Sequence, residues 1–152
     1  MKKWLSIAAV IMLAGCASSS GPSESEKVRN LPAVSFASAM TAFQRVCAAS
    51  RPNFTDAEAR TAQLASPSAY IFTVDRLSNG SPVCTMRARL PEGTDAFFEL
   101  QERYGRARFP LNAPLLQVFD GYPNGQLVFM GGIKGGAGEG TFQVGLTTGT
   151  RL

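Results

Sequence analysis

The chain has 152 residues, 45% of them apolar, with 15 basic residues against 11 acidic ones and no histidine. That length suits one domain with a real core, and the apolar share excludes general disorder. The missing histidine removes the commonest general base and the commonest metal ligand, so a Ser-His or Cys-His nucleophile is impossible within the chain.

In chain order, Lys2 and Lys3 precede a nearly unbroken apolar run from Trp4 to Ala14, and small residues follow. A basic end, an apolar run and a small-residue boundary describe a secretory signal over residues 1–15. The run falls short of the roughly 20 apolar residues that a membrane span needs. The boundary itself reads Leu13-Ala14-Gly15-Cys16.

This tetrad resembles the lipobox of bacterial lipoproteins. The resemblance implies cleavage just before Cys16, a diacylglycerol on its thiol and acylation of the new amino terminus, with palmitate as a typical chain. Several acyl chains make a stable anchor where one holds only marginally. Ala17 follows in place of an aspartate, which in that class implies the outer membrane, with the protein on its periplasmic side. Without Lys2 and Lys3, 13 basic residues face 11 acidic ones, which is no nucleic-acid signature.

Residues 16–33 are polar, carry Gly21, Pro22 and Pro32, and lack apolar periodicity, so they read as a flexible tether. A single globular domain is expected over 34–152. Ser35 can cap a helix running to about Ser50, with Phe36, Met40, Phe43 and Cys47 on one stripe. Arg51-Pro52 ends it. Thr55-Asp56-Ala57-Glu58 matches a capping box, predicting a second helix over 56–65.

Two strands follow, Tyr70–Leu77 and Val83–Leu90. A two-residue Asn79-Gly80 turn would pair Phe72 with Arg87, placing an arginine on the apolar side. A three-residue Ser78-Asn79-Gly80 loop with Gly80 left-handed pairs Phe72 with Met86, and is preferred. Thr94 can cap a third helix that turns Phe97, Leu100 and Tyr104 inward and ends at Gly105. Strands at Leu115–Phe119 and Leu127–Met130 flank a Tyr122-Pro123-Asn124-Gly125 turn, and a last strand alternates through Phe142, Val144 and Leu146. The order α-α-β-β-α-β-β-β predicts an α+β fold: an antiparallel sheet of about five strands with two or three helices on one face.

Cys47 lies on the apolar stripe of the first predicted helix and Cys84 on the apolar face of the second strand. An exported domain meets an oxidising compartment, so these two are expected to form a disulfide.

Three further features are candidate sites. In the segment Gly131–Gly140, Gly132, Lys134, Gly135 and Gly136 form a possible binding loop, since bare backbone allows close approach. It is no P-loop, because Lys134-Gly135 leads into a strand and not into a helix. Arg87 and Arg89 share the outer face of their strand with Thr73, Asp75 and Thr85; they either hold an acidic group or pair across strands with Asp75. The segment from Gly105 to Pro114, with Arg106 and Arg108 beside Phe109, is either a recognition loop or a solvated connection.

No catalytic set, cofactor or metal site is expected. The function that follows is a non-enzymatic interaction or scaffold module, bound to the membrane through its lipid and to an envelope protein of unknown identity. A small carboxylate-dependent envelope hydrolase, or an inhibitor of an envelope-directed enzyme, is the alternative.

Overall fold

The structure is a computed structural model and describes residue 21 and residues 24–111, 116–130 and 141–152. Its helices are α1 (Glu24–Arg29), α2 (Phe36–Val46), α3 (Ala57–Ala62) and α4 (Ala96–Tyr104). Its strands are β1 (Tyr70–Arg76), β2 (Pro82–Arg89), β3 (Gln117–Phe119), β4 (Gln126–Phe129) and β5 (Thr141–Thr147). They form one five-stranded sheet in the order β1-β2-β5-β4-β3, antiparallel at every junction. The expected α+β class is thus the observed one.

The β1–β2 hairpin takes the three-residue loop. Phe72 stands opposite Met86, and Gly80 has φ +82°. This register keeps Cys84, Met86 and Ala88 on one face. β5 and β4 continue it in cross-strand rows, Cys84 beside Leu146 beside Leu127 and Met86 beside Val144 beside Phe129. Phe36, Met40 and Phe43 from α2 and Leu100 from α4 complete the cluster over this face. Phe142 meets the rings of Phe36 at 5.5 Å and Phe129 at 6.2 Å, while Phe97 bridges Phe119 and Phe129. Each phenylalanine fully buried this way contributes about 1.5–3 kcal/mol.

Local chemistry sets the helix ends. Ser35 accepts the Ser38 N–H at 3.1 Å and starts α2 as expected. The helix stops at Val46 and passes through a 3-10 turn at Ala48–Ser50, whose Ser50 hydroxyl donates to the Val46 carbonyl. Two expected caps differ. Asp95, not Thr94, caps α4 by accepting the Phe98 N–H at 3.0 Å. The capping box at α3 is not formed: Asp56 occupies the N-cap position and sends its carboxylate to Arg60 at 2.7 Å, one turn along. α3 is correspondingly short.

The stretch expected as tether is bound to the domain from Glu24 onward. Val28 is buried yet stands outside the cluster beneath α2 and α4, and α1 lies against β2 and β5. Beyond it the Val34 N–H donates to the Arg89 carbonyl at 2.9 Å. One apolar side chain per helix turn leaves no periodicity to read, which is why composition alone suggested coil. The opposite face of the sheet is partly buried too, at Val83, Thr85, Val118, Val128 and Thr147. A Cβ at Gly145, in the middle of that face, would run into Met130 and Val83. Among the described residues no helix is long and apolar enough to cross a membrane.

Cys47, just past the end of α2, is joined to Cys84 on β2, with Cα atoms 5.5 Å apart and both residues fully buried. The two ends lie 37 positions apart, so closing this loop in the unfolded chain is worth about 4 kcal/mol in the chain-entropy treatment. A Cys47→Ala/Cys84→Ala variant is expected to lose about that much stability in urea unfolding. A loss below about 1 kcal/mol would show that the bridge does not constrain the unfolded chain.

Candidate functional site

The two edges of the sheet are treated differently. At the β3 edge the chain folds back on itself. The Arg108 N–H donates to the Val118 carbonyl and the Val118 N–H donates to the Arg108 carbonyl, both at 2.8 Å. Side chains lock this contact. The Arg108 guanidinium holds both oxygens of Asp120, at 2.8 and 3.2 Å, and donates to the Leu152 backbone oxygen at 2.7 Å. Gln126 and Arg151 add donors to the same carboxylate at 2.9 and 3.3 Å. Arg108 is therefore a fold-closing residue, a role that neither reading of its loop anticipated.

Among the described residues the β1 edge has no such cover. Its hydrogen-bond phase follows from the hairpin, because the Leu77 N–H donates to the Ser81 carbonyl at 2.9 Å. Counting back by twos, Asp75, Thr73 and Ile71 point their backbone groups at β2. Pro82, which has no N–H, sits opposite Arg76 in the non-bonded position, as this phase requires. The N–H and C=O groups of Phe72, Val74 and Arg76 therefore point away from the sheet. Among the described residues none of these three amides has a protein partner, whereas the Tyr70 N–H is taken by the Pro67 carbonyl.

Beside this edge lies a groove of about 680 Å³ between α3 and β1. Its floor is apolar, formed by Phe54, Ala57, Ala62, Phe72 and Val74. α3 reads AEARTA, and apart from Glu58 it lines the groove with the small side chains of Ala57, Thr61 and Ala62. Val74 is 45% exposed there, although its alternation places it on the helix-bearing face. The Thr61 hydroxyl, on the wall, is turned back to the Ala57 carbonyl. Arg60 is occupied by Asp56, and Arg76 donates to the Gly80 carbonyl. Glu58 also lines the groove, exposed and with no partner among the described residues.

The other candidates distribute as follows. Arg87 is half-buried, opposite Ile71 and Gln143, while Arg89 is exposed and donates to the Leu31 carbonyl at 3.4 Å. Asp75 stands opposite Val83 and makes no ion pair with either arginine, so the cross-strand pairing expected for it does not form. Cys16 and the glycine loop with Gly132, Lys134, Gly135 and Gly136 lie outside the described residues. Cys47 and Cys84 are consumed by their bridge.

Burial pushes the Tyr122 hydroxyl up to about 12 and raises Tyr104 and Tyr70 as well. Hydrogen bonds from Arg108 above all hold the Asp120 carboxyl well below the usual carboxylate range, with Gln126, Arg108 and Arg151 adding to the effect against desolvation. Among the described residues no three His, Cys, Asp or Glu side chains gather as a metal site would require.

The groove was not legible in the sequence, since it depends on which strand ends the sheet. The one sequence signal is the uncharged run Tyr70 to Val74 facing an alanine-rich helix. Comparison of the chain with protein-family models, curated proteins and solved structures finds no match.

A carboxyl whose folded pKa is depressed stabilises the fold above its unfolded pKa and loses that contribution as pH falls toward the folded value. Asp120 thus supports the β3 edge at neutral pH, and its contribution fades as pH drops below about 4. Asp120→Asn is expected to lower the melting temperature at pH 7 and to flatten its acid dependence between about pH 4 and pH 2. An unchanged acid profile would show that Asp120 is not the group responsible.

Proposed function

We propose that the chain is a lipid-anchored envelope protein whose folded domain is a non-enzymatic interaction module on the periplasmic side of the outer membrane. The observation that carries the interaction role is the β1 edge, with three backbone amides unpartnered among the described residues beside an apolar groove. A buried disulfide suits an oxidising compartment. The anchor rests on the tetrad Leu13-Ala14-Gly15-Cys16 and its likeness to a lipobox.

The two halves of the reading separate experimentally. Cys16→Ser is expected to abolish lipidation and move the protein out of the membrane fraction; unchanged processing and partitioning would refute the anchor. For the interaction role, photo-crosslinking residues are placed at Val74 and at Phe98, whose side chain is exposed on α4, in the lipidated protein in intact cells. One discrete envelope protein captured from either position supports the module. No adduct from either position, together with hydrolysis of purified envelope polymer, would replace it with the enzyme reading.

A further inference from the structure

The β1 edge, uncovered among the described residues, has a backbone geometry that restricts what could pair with it. Outward N–H and C=O groups at Phe72, Val74 and Arg76 recur every second residue, a spacing of about 6.6 Å that only another β-strand matches. Natural sheets blunt such edges with prolines, bulges, lysines or a covering segment. β1 pairs with β2 without a bulge over all seven residues, has neither proline nor lysine, and carries charge only at Asp75 and Arg76 beside the hairpin. The opposite edge of the same sheet is closed by Arg108.

We propose that β1 accepts an extended segment of a partner protein as a sixth strand. Alternate apolar side chains of that segment enter the groove beneath α3, and a lysine or arginine meets Glu58. This deepens the interaction role proposed above and rests on it. The occupant is a partner and not a second copy. Antiparallel pairing of two β1 edges keeps both α3 helices on the same side of the joined sheet, which brings two unpartnered Glu58 carboxylates toward each other. Two like charges drawn together from the facing helices oppose that pairing. A basic residue on a foreign strand turns the same carboxylate into an attraction.

The test uses the full lipidated chain in detergent micelles. The probe is a fluorescent seven-residue peptide alternating valine and threonine, with one central lysine on the valine side. Two control peptides carry glutamate in place of the lysine, or N-methyl groups on alternate amides. Binding of the lysine peptide is expected, with slowed hydrogen exchange at Phe72, Val74 and Arg76. The N-methyl peptide is expected to bind about tenfold more weakly or not at all.

Val74→Pro removes an outward N–H without touching the β2 ladder and is expected to weaken binding about tenfold while the far-ultraviolet spectrum stays unchanged. Glu58→Lys is expected to reverse the preference between the lysine and glutamate peptides. The proposal is overturned by lack of binding at about 1 mM, by equal binding of the N-methyl peptide, or by protection of amides elsewhere. Concentration-dependent dimers that protect the β1 amides would overturn it in favour of a second copy. The peptide and N-methyl arms use the unaltered protein, so misfolding of a variant cannot mask the result. If these arms fail while the crosslinker at Phe98 still captures an envelope protein, the interaction role stands and only the edge-strand mode is lost.

Discussion

The Cys47–Cys84 bridge fixes where α2 leaves the sheet, and the helix-bearing face is arranged around that point. The bond lies between the foot of α2 and the second strand, at the β2 position of the row that Leu146 and Leu127 continue. With α2 pinned, Phe36 reaches Phe142 and Phe43 reaches Tyr122, whose ring also meets Tyr104 of α4. One covalent contact thereby sets the position of an aromatic layer that connects two helices and three strands. It also determines the path of the link to α3. Arg51 lies four residues beyond Cys47 and donates to the Pro123 and Asn124 carbonyls, tying that link to the β3–β4 turn.

The exposed and covered edges differ through the same packing. β3 has only three residues and is guarded by a backbone pair and a carboxylate held by two arginines and a glutamine. β1 has seven residues and a neighbour in α3 too small to close over it. An alanine-rich helix beside an edge strand is a poor way to fill space and a good way to leave it open. A leucine at the exposed Ala62 would fill part of the groove, at the cost of the access that the proposed role requires.

What could be read in advance was whatever depends on neighbours in the chain. Phe72 against Met86 was legible because the alternative register would have put Arg87 into the core. The stripe of α2 was legible because three large side chains, Phe36, Met40 and Phe43, repeat at helical spacing, with Cys47 one step further on. The disulfide came from two separate periodicities pointing into one interior. Contests between adjacent residues were harder: Asp95 displaced Thr94 as a cap, and Asp56 preferred Arg60 to the α3 amides. The insertion of β5 between β2 and β4 could not be read at all. No local pattern says which hairpin the last strand joins, and the identity of the free edge, and with it the groove, follows from that choice.

The place of β5 has a consequence for the order in which the molecule can be completed. The β1–β2 and β3–β4 hairpins have no ladder between them, and the strand that unites them is 141–147. A chain that appears from its amino end can form each hairpin early, since loop closure over a few residues is fast. It cannot close the sheet until nearly its whole length is available. The non-local pairing of residues 83–89 with 141–147 then carries a large share of the loop-closure entropy, the kind of contact that slows folding. Until that step, the apolar faces of both hairpins are without their central strand.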